Sequence, residues 1–451
     1  MDKSIRGNEF SILRLLLLVS TILLLCFGQI DTYICAGLIV VICLWDFKYY
    51  LGFKNIFLTY TFLIFDFAGC GYFYKNSNEL FMDMLIYLLA FGVGSTAYNL
   101  SFQKPKNNTS KTIHENSPTN TEQGSSRLKK LESFLFVLTI FRIILLIYNI
   151  SKIGLVNFFI GQGLSDKIES YNQEDFQQGL DTIISSFVGS LIIATIVLYI
   201  CTCLNLKIKV NYRFPIILMI IIPFLSLQRS SVIFGIMFLL MTLYFENKKG
   251  LIIKIAVGFA AVIFVGTSIG GLRENNLTGD KASSSTSLEF VYGELSPIVG
   301  YQEIKDSVKN GYQYGYTIIA PLLTKPLPRN WFLDKPLNSS AYYMKTYRQS
   351  EFDAGFMLAP SIFGDIYFNF GYIGCIVLCF LLGILFNFFD VTLFGHSLMF
   401  DSSRSLSYLM IFYNSSYSFL RNNLADSTFA ILITILMYEF SKAYLLRHEK
   451  N

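Results

Sequence analysis

The sequence predicts an all-α polytopic membrane protein with about twelve transmembrane helices and one large extracytoplasmic loop. Three observations carry that expectation. The 451 residues are 53% hydrophobic and only 15% charged, with a mean hydropathy of +0.49. About a quarter of the residues in a soluble domain are charged, so an ordinary soluble fold is excluded. The apolar residues fall in runs of about twenty, the length that crosses a bilayer. Lysine and arginine are biased toward alternate connecting segments, which orients the spans. The net charge of +5 is spread through these connections and does not point to nucleic acid.

The elements follow in order. Residues 1–102 hold spans 1–4: Phe10–Gln29, Thr32–Tyr49, Asn55–Tyr74 and Leu80–Phe102. The first run has no small-residue cleavage site and reads as a helix rather than a signal peptide. Residues 103–130 are rich in Asn, Ser, Thr and Lys and read as a flexible cytoplasmic linker. Residues 131–270 hold spans 5–9: Leu131–Ile150, Asp181–Leu204, Phe214–Leu227, Ser231–Phe245 and Leu251–Gly270. The third and fourth of these are short and joined by almost nothing. Residues 271–362 form the large extracytoplasmic loop. Its aromatics, glycines and prolines, with an amphipathic pattern over Val299 to Val308, suggest a compact irregular structure resting on the membrane surface. Residues 363–451 hold spans 10–12 (Phe363–Phe389, Ser405–Leu420 and Leu424–Leu445) and a cytoplasmic C-terminus.

Charge sets the orientation. One set of connections carries Lys48 and Lys54, Lys104 to Lys130, Lys207 to Arg213, Lys248 and Lys249, Arg404, and Lys442 to Lys450. The opposite short loops carry only Lys75, Lys152, Lys167, Arg229 and Arg421. The positive-inside rule then puts both termini in the cytoplasm and the large loop outside.

Several side chains invite chemistry at the loop's level. Arg229 stands in the tight turn Leu227-Gln228-Arg229-Ser230-Ser231, Arg273 where span 9 leaves the membrane, and Arg421 in Phe419-Leu420-Arg421-Asn422-Asn423. Each reads either as an interfacial anchor or as part of a phosphate clamp, since guanidinium offers a planar fork of donors that matches phosphate oxygens. Arg329 and Arg348 lie inside the loop. Arg142 lies within span 5 and serves either a substrate or a structural partner such as Asp66 or Asp181. The three histidines, His114, His396 and His448, all map to the cytoplasmic side. Carboxylates therefore remain as outer bases: Glu274, Glu294, Glu303, Glu351, Asp353 and Asp365, with Glu294 the first to test. The eight cysteines lie in apolar spans and read as packing residues. Neither zinc nor a disulfide framework is expected, and no Walker pattern appears.

Three segments carry a resemblance. They are the Leu227–Ser231 turn leading into an apolar helix, Gly364-Asp365-Ile366-Tyr367-Phe368-Asn369-Phe370-Gly371-Tyr372-Ile373-Gly374, and Phe419-Leu420-Arg421-Asn422-Asn423-Leu424. With the whole-chain topology, these resemble the O-antigen polymerase (Wzy) family. Asn422 and Asn423 stand where that family commonly has a glycine and an acidic residue. The resemblance implies a type C glycosyltransferase-like architecture and a metal-independent enzyme with no cofactor in the bacterial inner membrane. It implies polymerisation of undecaprenyl-pyrophosphate-linked repeat units for O-antigen or capsule, with a chain-length regulator as partner. Arg229, Arg273, Arg421 and Glu294 are then the catalytic candidates. Arg329, Arg348, Asp365, Tyr367, Asn369 and Arg142 are the candidates for binding substrate. A lipid-linked oligosaccharide flippase and an O-antigen ligase are the alternatives. The flippase gives no reason for so large an outer loop, and the ligase family is expected to have an outer histidine.

Overall fold

The computed structural model describes residues 52–58, 79–102, 121–153, 176–225, 297–308, 311–325, 335–353, 358–394 and 403–446, with isolated positions at 61, 257, 327 and within 232–243. All regular structure among these residues is helical. The helices are α1 (Glu79–Phe102), α2 (Thr121–Ile153), α3 (Phe176–Asn205), α4 (Arg213–Leu225), α5 (Pro297–Ser307), α6 (Tyr316–Thr324), α7 (Ser339–Tyr347), α8 (Gln349–Asp353), α9 (Ser361–Phe394), α10 (Ser403–Arg421) and α11 (Leu424–Leu446). Five of them, α1, α2, α3, α9 and α11, are long and apolar enough to cross a membrane. The expected spans 1 and 2 lie outside the described residues, as do all but one position of span 9, most of span 3 and about half of span 8. α10 has the length of a span but is rich in serine. α4 is short, and its middle turn, Ile217–Ile221, is a π-helix. Pro223 follows that turn and has no N–H to continue the normal ladder.

Two boundaries differ from expectation. α2 begins at Thr121, inside the stretch read as linker. Leu128, Leu131, Leu135 and Leu138 recur at helical spacing and are all buried, whereas Arg127, Lys129 and Lys130 beside the first two disguise the period as a polar run. The large loop is also more regular than expected, since its described part contains α5 to α8. Pro297 suits the first position of α5, where no N–H is needed. Asn338 caps α7, its side-chain oxygen accepting from Ala341 N–H at 3.0 Å.

α1 and α9 pack as a parallel pair. Tyr87 stacks on Phe363 at 5.5 Å, Phe91 meets Phe386 at 5.9 Å, and Asn387 Nδ2 donates to Ser95 O (2.9 Å) and Asn99 Oδ1 (2.6 Å). Small residues permit the close approach. A Cβ at Gly94 would lie 2.0 Å from the Phe380 carbonyl oxygen, and one at Gly383 would lie 2.0 Å from that of Phe91. Near the C-terminal end of α9, Asp390 accepts from Phe53 N–H (2.6 Å) and Lys54 N–H (3.2 Å), capping the helical residues 53–58.

The remaining long helices continue the alternation. Cys201, late in α3, meets Met410, early in α10, and Tyr199 donates to Glu132, early in α2. Tyr438, late in α11, donates to Ser407, early in α10. So α1 and α9 run in parallel, and α2 and α10 run antiparallel to α3. Cys201, Cys203, Cys375 and Cys379 are buried among these helices. The N-terminal ends of α1, α9 and α11 carry the short helices α5 to α8.

Candidate functional site

α5 fixes the first edge of the polar segment. Ile298, Tyr301, Ile304 and Val308 lie on one face and are fully buried. Tyr301 Oη donates to Asp83 Oδ2 at 2.8 Å, and the hydroxyls of Tyr87 and Tyr301 are 2.9 Å apart. Lys305 Nζ bridges Asp83 Oδ2 (2.7 Å) and Glu79 Oε1 (2.6 Å) on α1. Burial pushes the Tyr301 hydroxyl well above its ordinary range, and the Asp83 charge adds to it. Burial alone pulls Lys305 down, but the hydrogen bonds to Asp83 and Glu79 outweigh it and hold the ammonium above its usual value. This lysine is therefore a fixed positive charge between two carboxylates.

α9 supplies the second edge by breaking. Gly371 adopts φ 68° and ψ −167°, a conformation essentially reserved for glycine. The interruption frees the carbonyls of the preceding turn, and the polar segment takes them. Gln313 N–H donates to Phe368 O (3.2 Å) and Tyr314 N–H to Asn369 O (2.8 Å). Asn369 Oδ1 then accepts from Gly315 N–H (3.1 Å) and Thr317 Oγ1 (3.0 Å), while its Nδ2 donates to Asp365 O (2.8 Å). Ser339 Oγ at the start of α7 donates to Asp365 Oδ1 and stands 2.8 Å from Thr317 Oγ1. Thr317, Ser339, Asp365 and Asn369 are completely enclosed. A buried network of this kind is stable only when its members find partners, and each of these four does.

The same aspartate reaches the last two helices. Asp365 Oδ2 accepts from Leu424 N–H at 2.6 Å, three residues beyond Arg421. Asn423 caps α11: its Oδ1 accepts from Asp426 N–H (2.8 Å) and its Nδ2 returns a bond to Asp426 Oδ2 (2.8 Å). Asp426 also receives Lys325 from the end of α6 and Asn338 Nδ2 (2.9 Å) from the cap of α7. The Arg421 turn, the Gly364–Gly374 segment and α5 to α7 thus form one connected assembly.

The sequence-predicted residues divide accordingly. Asp365, Tyr367, Asn369 and Arg421 fall in this assembly. Asp365 and Asn369 spend their polar atoms inside the protein, which suits holding the segment in place. Tyr367 is half-buried, its ring 5.7 Å from Tyr301 and 6.2 Å from Tyr312. Arg421 is half-buried at the last turn of α10. Arg348, at the C-terminal end of α7, is engaged by Glu351 (3.1 Å) and by Glu303 of α5 (3.5 Å). Arg142 sits about two-thirds of the way along α2 and is half-buried. Arg229, Arg273, Arg329 and Glu294 lie outside the described residues. Sequence reasoning missed Asp83, Tyr301, Lys305, Thr317, Ser339, Lys325 and Asp426. Two signals were present: Glu79 and Asp83 one turn apart at the head of an apolar helix, and the Asn423-x-x-Asp426 spacing of a helix cap.

Comparison with known proteins decides the wider identity. The family model of the O-antigen polysaccharide polymerase Wzy matches residues 5–443. The chain belongs to the O-antigen polysaccharide polymerase Wzy family. No curated protein and no solved structure matches it. Membership makes it a repeat-unit polymerase of the glycosyltransferase type, acting in a membrane on lipid-linked oligosaccharide units. In this Wzy-family chain the match covers every residue named in the assembly around Asp365.

Proposed function

We propose that the chain joins undecaprenyl-pyrophosphate-linked repeat units, for O-antigen or capsule, on the outer face of the bacterial cytoplasmic membrane. The family match carries the reaction class. In the proposed step an acceptor hydroxyl oxygen bonds to the donor's anomeric carbon. The bond from that carbon to the pyrophosphate oxygen breaks, and the hydroxyl proton passes to a base. Negative charge grows on the departing pyrophosphate, so cations held ready at the membrane plane lower the barrier. Arg229, Arg273 and Arg421 are assigned that role and Glu294 that of the base. Supporting this reading, the Arg421 turn is fastened through Leu424 N–H to Asp365, the residue on which the polar segment is built. A turn fixed in that way holds its arginine without reorganisation during the step.

Deleting the gene tests the class. Loss of a polymerase leaves cells displaying single repeat units, whereas loss of a flippase leaves none and loss of a ligase leaves polymer on its lipid carrier. Arg229→Ala, Arg273→Ala and Arg421→Ala are each expected to abolish chain extension, read as loss of the polymer ladder, with membrane insertion unchanged. Full-length polymer from all three overturns the clamp.

A further inference from the structure

α6 is nine residues long, about 14 Å at helical rise. That is too short to cross a bilayer. It contains no charged residue, and its apolar side chains divide between two faces. Thr317, Ile318 and Pro321 face inward and are buried. Tyr316, Ile319 and Leu323 recur at intervals of three and four on the other face, and all are exposed, Leu323 at 69%. In a water-facing domain such a face would be unusual.

Its position explains it. α9 carries its own outward stripe of Phe370, Ile373, Val377, Leu381 and Leu385, again at intervals of three and four, with Ile373 75% exposed. On a helix that crosses the membrane this stripe faces lipid. Its upper end meets α6: a Cβ at Gly315 would lie 3.0 Å from Phe370 Cζ and 3.5 Å from Ile319 Cδ1. The backbone bonds of residues 313–314 to Phe368 and Asn369 lock the two elements together at that point. The lipid-facing stripe of α9 thus continues without interruption onto α6. Tyr314 and Tyr316 stand where the two meet, and their hydroxyls suit the headgroup level. Lys325 closes the far end of α6 and turns inward to Asp426 rather than toward the exposed face.

We infer that α6 is an interfacial helix seated in the bilayer leaflet at the N-terminal end of α9, with Tyr316, Ile319 and Leu323 against acyl chains. The polar segment is then held along two edges, by α5 buried among the helices and by α6 in the lipid. This goes beyond the polymerase reading and does not depend on it.

The test uses the full-length chain with Trp45→Phe and Trp331→Phe, reconstituted in phosphatidylcholine vesicles. Ile319→Trp and Leu323→Trp each place one tryptophan on the outward face, and Gln349→Trp on α8 gives an exposed reference. Emission from positions 319 and 323 should fall when the acyl chains are brominated and should resist aqueous iodide. Quenching by iodide with no response to brominated lipid overturns the inference, because the face is then in water. Protection from both quenchers also overturns it, because a second copy or another protein then covers the face.

Discussion

At the residue scale, the polar segment is held by carboxylates whose partners differ in kind. Asp365 accepts from the Leu424 N–H at the head of α11 and Asp426 from the side chains of Lys325, Asn338 and Asn423, while Glu303 faces the Arg348 guanidinium. Glu303 Oε2 is buried without a hydrogen bond, and Arg348 Nη2 stands 3.5 Å away. Burial raises Glu303 above its ordinary value of 4.5, the Arg348 charge opposes this, and Glu351 adds to it, leaving the group raised. A carboxyl with a raised folded pKa favours the folded state fully below its unfolded pKa and loses that contribution as pH climbs through the folded value. Glu303→Gln should therefore raise the apparent melting temperature above wild type near neutral pH. The difference should vanish below the unfolded pKa, where both side chains are neutral. A variant that is less stable near neutral pH would mean that the attraction to Arg348 outweighs burial. The residues of the site were only partly legible at this scale. Asp365 and Asn369 were visible in their motif, but long-range pairing gives Ser339 and Thr317 their meaning, and local spacing carries no trace of it.

At the element scale, the decisive feature is the break in α9. Without it the carbonyls of Phe368 and Asn369 would stay inside the helix and residues 313–314 would have nothing to bind. Gly371→Ala should cost about 1–3 kcal/mol from backbone conformation alone. A Cβ there would also lie 2.6 Å from the Tyr312 ring, so the measured loss should exceed that figure. Tyr312→Ala removes the clash but leaves the backbone strain. In that background Gly371→Ala should cost less than in the wild type while remaining destabilising, a double-mutant cycle read by thermal unfolding in detergent. Equal costs in both backgrounds would remove Tyr312 from the account. The apolar helices were legible because length and composition alone define a span. The start of α2 and the helices α6 to α8 were not, whereas α5 showed as the amphipathic pattern over Val299 to Val308. A charged amphipathic turn and a linker share the same composition, and nine-residue helices owe their stability to the surface they rest on.

At the scale of the whole molecule, the directions of the long helices constrain topology beyond charge counting. α1 and α9 are parallel neighbours, as their matched contacts from Tyr87–Phe363 to Asn99–Asn387 require. The chain between Phe102 and Ser361 must therefore return across the membrane by an odd number of crossings. α2 and α3 run in opposite directions, so these two together return the chain to the same side. Among the described residues, Arg127, Lys129 and Lys130 early in α2, Lys207 and Lys209 between α3 and α4, Arg213 at the start of α4, and Lys442 late in α11 lie at the end away from α5 to α8. Since lysine and arginine mark the cytoplasmic side, alkaline phosphatase inserted after Asn310 should be active and the same enzyme fused after Lys249 inactive. The insertion at Asn310 follows α5, so its folding is checked by retention of the chain in the membrane fraction. Activity at Lys249 together with silence at Asn310 would invert the protein. It would move Arg421 and the whole Asp365 assembly to the cytoplasmic face, and the outer-face polymerisation proposed here would fail with it.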